Sequence, residues 1–436
     1  MIRFLFAAFL CAVALPAAAE VKIAEVTSPG GIKAWLVEEH GIPFTALELR
    51  FRGGTSLDAP DKRGAVMLMA ALLEEGADGL DSKGFAERRE ELAARIGFDA
   101  NADAVTVSVQ MLTENRDDVV ALLKSALIDP RFDQEAIDRV KGQIQSIIQS
   151  RAASPEDIAR DRMDAALYGD HPYGSSDLGT AESAAALTRE DLLAAKAATM
   201  ARDRLYVSAV GDITAAELGA LLDGLLGDLP ATGAPLPGPV TPAFPGGVTV
   251  VPFDTPQSVI LFGQPGVPWT HPDYYPAYVL NQILGGGGFT ARLMTEVREK
   301  RGLTYGVSTD LVNMDLADSW QGSLASSNEK AAEAVKVIRE VWADVAMNGI
   351  TEAELEAAKT YMTGSYPLRF DGNDNIARIL VGMQMDGFPI DYPAHRNEKI
   401  EAVTLDDVNR VARERMKPDQ LTFTIVGHPV GLESTN

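Results

Sequence analysis

Cysteine is almost absent from this chain of 436 residues. The single Cys11 lies in an N-terminal stretch with one positive charge, at Arg3, and an apolar run over 4–15. That pattern, followed by small residues, is typical of a secretory signal peptide covering 1–19. A short membrane anchor is the alternative, but the run is shorter than the ~20 residues that a span needs. Without Cys11, the mature chain has no disulfide, thiolate metal site or cysteine nucleophile. Export without disulfides favours a bacterial periplasm.

Long apolar runs and basic residues are also scarce. No later segment is apolar over the ~20 residues of a transmembrane helix, so no membrane span is expected in the mature chain. The 39 Lys and Arg residues are outnumbered by 62 Asp and Glu residues, which gives a formal net charge of -23. Such a surface disfavours nucleic acid and favours basic peptides or partners. The acidic residues could equally serve solubility alone.

Paired histidines are missing as well. The five histidines are His40, His171, His271, His395 and His428. No two of them are three or four residues apart, the spacing that places two imidazoles on one helix face. The nucleophile motif GxSxG and the phosphate-binding GK[ST] loop are also absent. A local histidine zinc site, a nucleophile elbow and a P-loop are therefore excluded.

One stretch divides the chain. Residues 229–247, LPATGAPLPGPVTPAFPGG, contain six prolines and four glycines. This composition prevents a helix or a central strand and predicts an extended linker. The linker would separate an N-terminal domain, 20–228, from a C-terminal domain, 248–436.

The flanks of the linker repeat each other. Residues 187–212 and 403–428 share a capping Thr, an acidic first turn, a helical pattern and a strand that ends in Val-Gly. A second pair, 132–141 and 350–359, recurs at nearly the same offset, 218 residues against 216. Two matching blocks at a common offset predict duplicated domains.

Each half has strands, helices, further strands, and then helices before a final strand. This order predicts an α+β fold in which each domain is a mixed β-sheet with helices packed on one face. The segments 64–75 and 273–284 are expected to be helical. In 45–54, apolar and charged residues alternate, which predicts a strand with a buried face and a wet face that includes Glu48.

Four stretches together resemble the insulinase/pitrilysin family of zinc metallopeptidases, the inverzincins. Within it they are most similar to the short bacterial subunits of the mitochondrial-processing-peptidase type. The stretches are DKRGAVMLMAALLEEGADGL (61–80), DPRFDQEAIDRVKGQIQSIIQSRAASPEDIARD (129–161), DHPYGSSDLGT (170–180) and GGGGFTARLMTEVREKRGLTYGV (285–307). They follow the family's order through both halves, and the resemblance implies its processing-peptidase fold.

The resemblance also implies that the zinc site has been lost. In the family, the first helix carries HxxEH, whose two histidines hold zinc while the glutamate activates water. The matching positions here are Val66, Met69 and Ala70, and the third ligand position falls at about Ser146. None of these side chains can serve as a zinc ligand of that kind or as a base. We expect the helix to be simply buried, the chain to bind no cofactor, and zinc to be held by a partner subunit.

The family's second requirement is an Arg/Tyr pair with the spacing R-x6-Y, which Arg298 and Tyr305 match. We expect Arg298 in the last turn of a helix, Gly302 as its left-handed cap and Tyr305 on the following strand. The resemblance implies that both side chains donate hydrogen bonds to a substrate carbonyl or oxyanion. On spacing alone, an Arg paired with surface acids and a Tyr in the core are the alternative.

The internal repeat gives a comparison for this pair. In the N-terminal half, ELAARIGFDA (91–100) has Ala93 and Ala100 where we match Arg298 and Tyr305. On this alignment the shared fold does not need the two side chains, which favours a functional role for them.

The resemblance implies a non-catalytic subunit. With a homologous HxxEH zinc subunit it would close a clamshell chamber around unfolded peptides, with basic ones favoured. A catalytically inert scaffold or peptide-binding protein is the alternative. The glycines Gly285–Gly288 lack the Lys-Ser/Thr of a P-loop and follow a helical pattern. They are instead expected to allow a sharp reversal and a close approach of the chain, and they could form a flexible lip for an entering peptide.

Overall fold

The computed structural model describes residues 22–435, so the predicted signal peptide at 1–19 and Cys11 lie outside the described residues. The N-terminal half contains β1 (Ala24–Thr27), β2 (Lys33–Glu38), β3 (Phe44–Arg52), α1 (Ala65–Leu72), β4 (Gly76–Ala77), β5 (Leu80–Asp81), α2 (Ser82–Glu91), β6 (Arg95–Ala100), β7 (Ala104–Leu112), α3 (Arg116–Ile128), α4 (Gln134–Ala152), α5 (Pro155–Tyr168), α6 (Ala181–Ala186), α7 (Arg189–Thr199), β8 (Leu205–Gly211) and α8 (Ala215–Leu226).

The C-terminal half contains β9 (Gly247–Val251), β10 (Gln257–Pro265), α9 (Tyr274–Asn281), β11 (Val307–Asn313), β12 (Asp318–Ser327), α10 (Ala331–Asn348), α11 (Glu352–Ser365), α12 (Asn373–Met385), α13 (Tyr392–Glu401), α14 (Leu405–Arg415) and β13 (Thr422–Val426). Two π-helical segments, Gln282–Gly286 and Met294–Glu299, follow α9. Among residues 22–435, no helix is both long enough and apolar enough to cross a membrane.

Each half has one large mixed sheet. The strand order is β1-β2-β8-β3-β7-β6 in the first sheet and β11-β12-β10-β13-β9 in the second. Without β1, the first order corresponds strand for strand to the second order read from β9 to β11. In the first sheet the parallel pair is β2 with β8, and in the second sheet it is β9 with β13. The predicted α+β class with two mixed sheets is confirmed.

The repeated sequence blocks adopt the same local structure. Thr188 caps α7 by accepting a hydrogen bond from the backbone N–H of Asp191 at 3.3 Å, and Thr404 caps α14 in the same way from Asp407 at 3.2 Å. Both acids bond back to the capping residue, which completes a capping box at each helix.

The segment between the two sheets is tied to both halves. Residues 227–246, all of which the structure describes, contain no helix or strand between α8 and β9. Val240 N–H donates to the carbonyl of Leu316 at 2.9 Å, and Ala243 N–H donates to the carbonyl of Leu167 at 2.9 Å. The Pro-rich segment is therefore extended but anchored.

Helix α12 of the C-terminal half covers the outer face of the N-terminal sheet. The Ser208 hydroxyl on β8 donates to the carbonyl of Ala377 at 2.6 Å, and the Gln384 amide donates to the carbonyl of Val207 at 2.6 Å. The expected wet face of β3 is therefore wrong: Glu48 is only 3% exposed. A helix distant in sequence supplies the cover that the strand pattern could not reveal.

The exchange is reciprocal. Helix α5 of the N-terminal half packs on β10 and β13 of the C-terminal sheet, where Ala159 joins Val259 and Val426 in a small apolar cluster. The turn between β11 and β12 also inserts into the N-terminal half, because Leu316 N–H donates to the Tyr173 hydroxyl at 3.2 Å. The two halves are thus bound through exchanged helices and not only through the linker.

Candidate functional site

The helix expected to have lost its zinc motif is buried, as predicted. Val66 and Met69 are fully buried in α1 and Ala70 is 1% exposed. The carboxylate of Asp58 accepts hydrogen bonds from Gly64 N–H at 2.8 Å and Val66 N–H at 2.9 Å at the start of the helix. Burial nevertheless raises the pKa of Asp58 to about 6. This end of α1 is a packing element of the N-terminal core.

Ser146 does not join these positions. It is exposed on α4, and its hydroxyl donates to the carbonyl of Gly142 at 2.9 Å. The residues that α4 buries are instead Ala136, Ile137, Val140 and Ile144. Throughout residues 22–435, no three His, Cys, Asp or Glu side chains are grouped so that they could hold a metal ion.

An acidic cleft of about 370 Å³ lies beside α1, and Met67, Asp161, Asp164 and Asp177 are among its lining residues. Burial raises the pKa of Asp164 to about 7, so this carboxyl titrates close to neutral pH. Arg151 partly neutralises the cleft by pairing with Asp161 at 3.3 Å.

Arg298 lies where the sequence predicts. It is in the last turn of the second π-helical segment, which ends at Glu299. Gly302 has a left-handed φ of +60°, and its N–H donates to the Arg298 carbonyl at 2.8 Å. Leu303 N–H closes the turn on the carbonyl of Val297 at 3.0 Å. The predicted glycine cap is confirmed.

Tyr305 is not on a strand, so that expectation is wrong. It lies in a loop two residues before β11 and is 85% exposed. The Thr304 hydroxyl accepts from Gly306 N–H at 3.1 Å and contacts the Ala325 carbonyl at 2.7 Å, while the Ser326 hydroxyl donates to the Leu303 carbonyl at 2.6 Å. These local bonds replace ladder pairing and hold the loop against β12.

Arg298 and Tyr305 line one open pocket of about 660 Å³. The Arg298 guanidinium lies 4.7 Å from the ring centroid of Phe289, a cation-π distance. Within the described part of the chain, no carboxylate oxygen is within 4.0 Å of that guanidinium. The alternative of an acid-paired Arg with a core Tyr therefore does not hold. The sequence did not point to Phe289, nor to Lys330, which also lines the pocket.

The assignment of Ala93 as the counterpart of Arg298 is wrong. Ala93 has a left-handed φ of +48° two residues after the end of α2, as Gly302 has after the second π-helical segment. Each lies four residues after an arginine, so the counterpart of Arg298 is Arg89, 209 residues earlier. Arg89 is not free for a ligand, because it pairs with Glu74 at 2.5 Å.

Ala100 is not the counterpart of Tyr305 either. It is the last residue of β6, where it is 5% exposed. Strand β6 begins two residues after Ala93, whereas β11 begins five residues after Gly302. The loop that carries Tyr305 is thus longer than the corresponding connection in the N-terminal half.

The glycine stretch makes a close approach, as expected. Gly285 and Gly286 end the first π-helical segment. A Cβ on Gly285 would lie 2.3 Å from the Thr309 hydroxyl and 2.7 Å from its backbone N on β11. Gly288 has a φ of +58°, which brings the chain round to Phe289.

Comparisons with known proteins agree with this architecture. Residues 34–181 match the family model described as insulinase (peptidase family M16), and residues 186–362 match the model described as the peptidase M16 inactive domain. An uncharacterized zinc protease of Mycobacterium tuberculosis is 32% identical over 311 residues, which cover 67% of this chain and 68% of that protein. The chain belongs to peptidase family M16.

Two further relatives extend the match of this M16 chain over almost its whole length. The non-peptidase homolog YmxG of Helicobacter pylori is 26% identical over 392 residues, 90% of each chain. The crystal structure of a peptidase M16 inactive domain from Pseudomonas fluorescens is 29% identical and superposes with a TM-score of 0.88. That match covers 94% of this chain and 99% of the other.

Proposed function

We propose that this M16 chain is the non-catalytic subunit of a heterodimeric zinc peptidase. The observation that carries the proposal is the pocket in which Arg298 and Tyr305 are both accessible, without an acid to neutralise the guanidinium. The positions of the zinc motif, in contrast, hold the buried apolar side chains of Val66, Met69 and Ala70. The chain thus lacks the residues of the zinc motif and has an Arg and a Tyr at the spacing of the family's pair.

In the proposed assembly, the partner contributes HxxEH and zinc, and this chain contributes half of a closed chamber. The Arg298 guanidinium and the Tyr305 phenol donate hydrogen bonds to a substrate carbonyl and to the oxyanion that forms at the partner's zinc. Preorganised donors of this kind stabilise developing charge more than they stabilise the ground state.

The proposed substrates are unfolded peptides. Strand β11 is at an edge of its sheet and begins two residues after Tyr305, so a peptide could add to it as a further strand. The acidic cleft at Asp161, Asp164 and Asp177 favours peptides that carry basic side chains. We infer that the complex works after export, in a periplasm.

A second candidate is an inert scaffold or peptide-binding protein of the same fold. It is supported by the relatives named as a non-peptidase homolog and as an inactive domain. The two candidates differ in whether Arg298 and Tyr305 influence a reaction rate.

The test is to purify the chain alone and together with a co-expressed HxxEH homologue, and to measure zinc content and cleavage of unstructured peptides. We expect zinc and cleavage only with the partner. Arg298→Ala and Tyr305→Phe should each lower kcat by about 10²-fold, the usual loss when one oxyanion donor is removed. Arg301→Ala is the matched control, because Arg301 follows the same helical segment and pairs with Glu296 at 2.7 Å.

Zinc-dependent cleavage by the single chain would refute the proposal. If the pair keeps full activity in each of the two variants, Arg298→Ala and Tyr305→Phe, the chain has the scaffold role instead.

A further inference from the structure

The pocket at Arg298 differs in charge from the chain around it. Its charged lining residues are Arg298, Lys330 and Glu299, two cations and one acid, in a chain whose formal net charge is -23. A neutral peptide carbonyl does not require a second cation. The lining therefore points to a ligand group that carries a negative charge.

Lys330 is held in position by the loop that carries Tyr305. Its ammonium donates to the carbonyl of Gly302 at 2.9 Å, and its backbone N–H donates to the Ser327 carbonyl at 2.9 Å. An ammonium has three donor hydrogens, so two remain for a ligand.

The other donors of the pocket are of complementary types. The Arg298 guanidinium offers a planar fork that matches a carboxylate, and it is steadied by the ring of Phe289 at 4.7 Å. Tyr305, 85% exposed, adds a phenol hydroxyl. A fork, a phenol and an ammonium around one cavity can together satisfy both oxygens of a carboxylate.

We propose that this pocket binds a carboxylate group of a peptide, with Lys330 as a third binding residue beside Arg298 and Tyr305. Two sources supply this chemistry: the C-terminal carboxylate, and the side chain of an internal Asp or Glu. The location of the pocket at the start of edge strand β11 favours the C-terminal carboxylate, because the rest of the peptide could then extend along that strand.

The inference rests on the proposed substrate-binding role of Arg298 and Tyr305, because hydrolysis converts the carbonyl that they bind into the C-terminal carboxylate of the product. Its test needs only the intact chain without a partner. Fluorescein-labelled unstructured peptides are titrated with the chain and followed by anisotropy. The three probes are a peptide with a free C-terminal carboxylate, its C-terminal amide, and an amide that carries one internal Glu. If the complex with the partner shows no peptidase activity, the proposed function is overturned, but the result of this binding experiment is unaffected.

We expect the free carboxylate to bind about tenfold more tightly than the amide, as is usual for a charge-assisted hydrogen bond. Arg298→Gln and Lys330→Gln should each remove that difference, and Lys330→Arg should retain it. Arg301→Gln, which removes a cation paired with Glu296 outside this pocket, is the control. Tight binding of the internal-Glu amide would assign the site to side-chain carboxylates.

Three results would overturn the inference. They are equal affinity for acid and amide, no measurable binding of any probe, or an Arg301→Gln effect as large as that of Lys330→Gln. Circular dichroism of each variant, with Lys330→Arg as the charge-conserving reference, separates loss of binding from loss of fold.

Discussion

Glu48 is a buried acid at the interface between the two halves. It lies on β3 beneath α12, is 3% exposed, and accepts a hydrogen bond from the Ser108 hydroxyl at 2.9 Å. Burial raises the pKa of Glu48 from 4.5 to about 7, although the Ser108 bond and the charge of Arg50 act in the opposite direction. Folding therefore favours the protonated form of this side chain.

The consequence for stability has a definite sign. A group whose pKa is higher in the folded state binds protons more tightly there than in the unfolded state. The contribution of Glu48 to the free energy of unfolding is therefore fully present below pH 4.5 and is lost as the pH rises through about 7. A difference of this size, at 1.36 kcal/mol per pKa unit, corresponds to a loss of about 3 kcal/mol at pH 8. At pH 5 the loss is less than about 1 kcal/mol.

Glu48→Gln keeps the volume and the hydrogen-bond acceptor but removes the titration. At pH 8 we expect the variant to be more stable than the parent by about 3 kcal/mol, and at pH 5 by less than about 1 kcal/mol. With an unfolding entropy of about 2 cal/mol/K per residue, the rise in Tm at pH 8 is about 3 °C for a chain of this size.

Scanning calorimetry at the two pH values measures both shifts. Glu25→Gln on β1 is the control, since the Glu25 side chain is 55% exposed and its Lys33 partner is 3.9 Å away. A lower Tm of Glu48→Gln at pH 8 would refute the reasoning, because it would mean that the folded protein stabilises a charged Glu48.

Two further predictions follow from packing. Cleavage at a protease site introduced into 229–247 should leave the two fragments associated in size-exclusion chromatography. The reason is that α5 packs on the C-terminal sheet and α12 packs on the N-terminal sheet. Separation of the fragments would contradict this prediction. Gly285→Ala should destabilise the chain by about 1–3 kcal/mol in urea unfolding, since its Cβ would overlap Thr309. Gly224→Ala, at an exposed position of helix α8 where a Cβ meets nothing within 4 Å, should be neutral or stabilising. Equal losses of stability at both sites would rule out the close-approach argument.

The parts of the fold that the sequence predicted are those determined by local chemistry. The capping boxes at Thr188 and Thr404 involve residues three positions apart, so a short window contains the whole interaction. The wet face expected around Glu48 was wrong for the opposite reason. Its cover is α12, which is more than 300 residues away in sequence, and strand alternation carries no information about such a partner.

The same distinction applies to the site. Arg298 in a last turn and Gly302 as its cap could be predicted, because a helix end depends on adjacent residues. The position of Tyr305 could not, since its loop is fixed by Ser326 on another strand. The counterpart of Gly302 was missed because Ala93 adopts a left-handed φ without being a glycine. The signal that could have identified Ala93 as this counterpart is an arginine four residues earlier, Arg89 before Ala93 and Arg298 before Gly302.

The junction that carries Arg298 differs in two ways from its counterpart in the N-terminal half. Arg89 is neutralised by Glu74, two residues after the end of α1. The matching position, two residues after the end of α9, is the buried Ile283. Arg298 therefore has no acid at that position, and the longer loop carries Tyr305, which lines the same pocket. Because both halves share the sheet order, the cationic pocket goes with an apolar residue in place of an acid and with a longer loop, and not with a different fold.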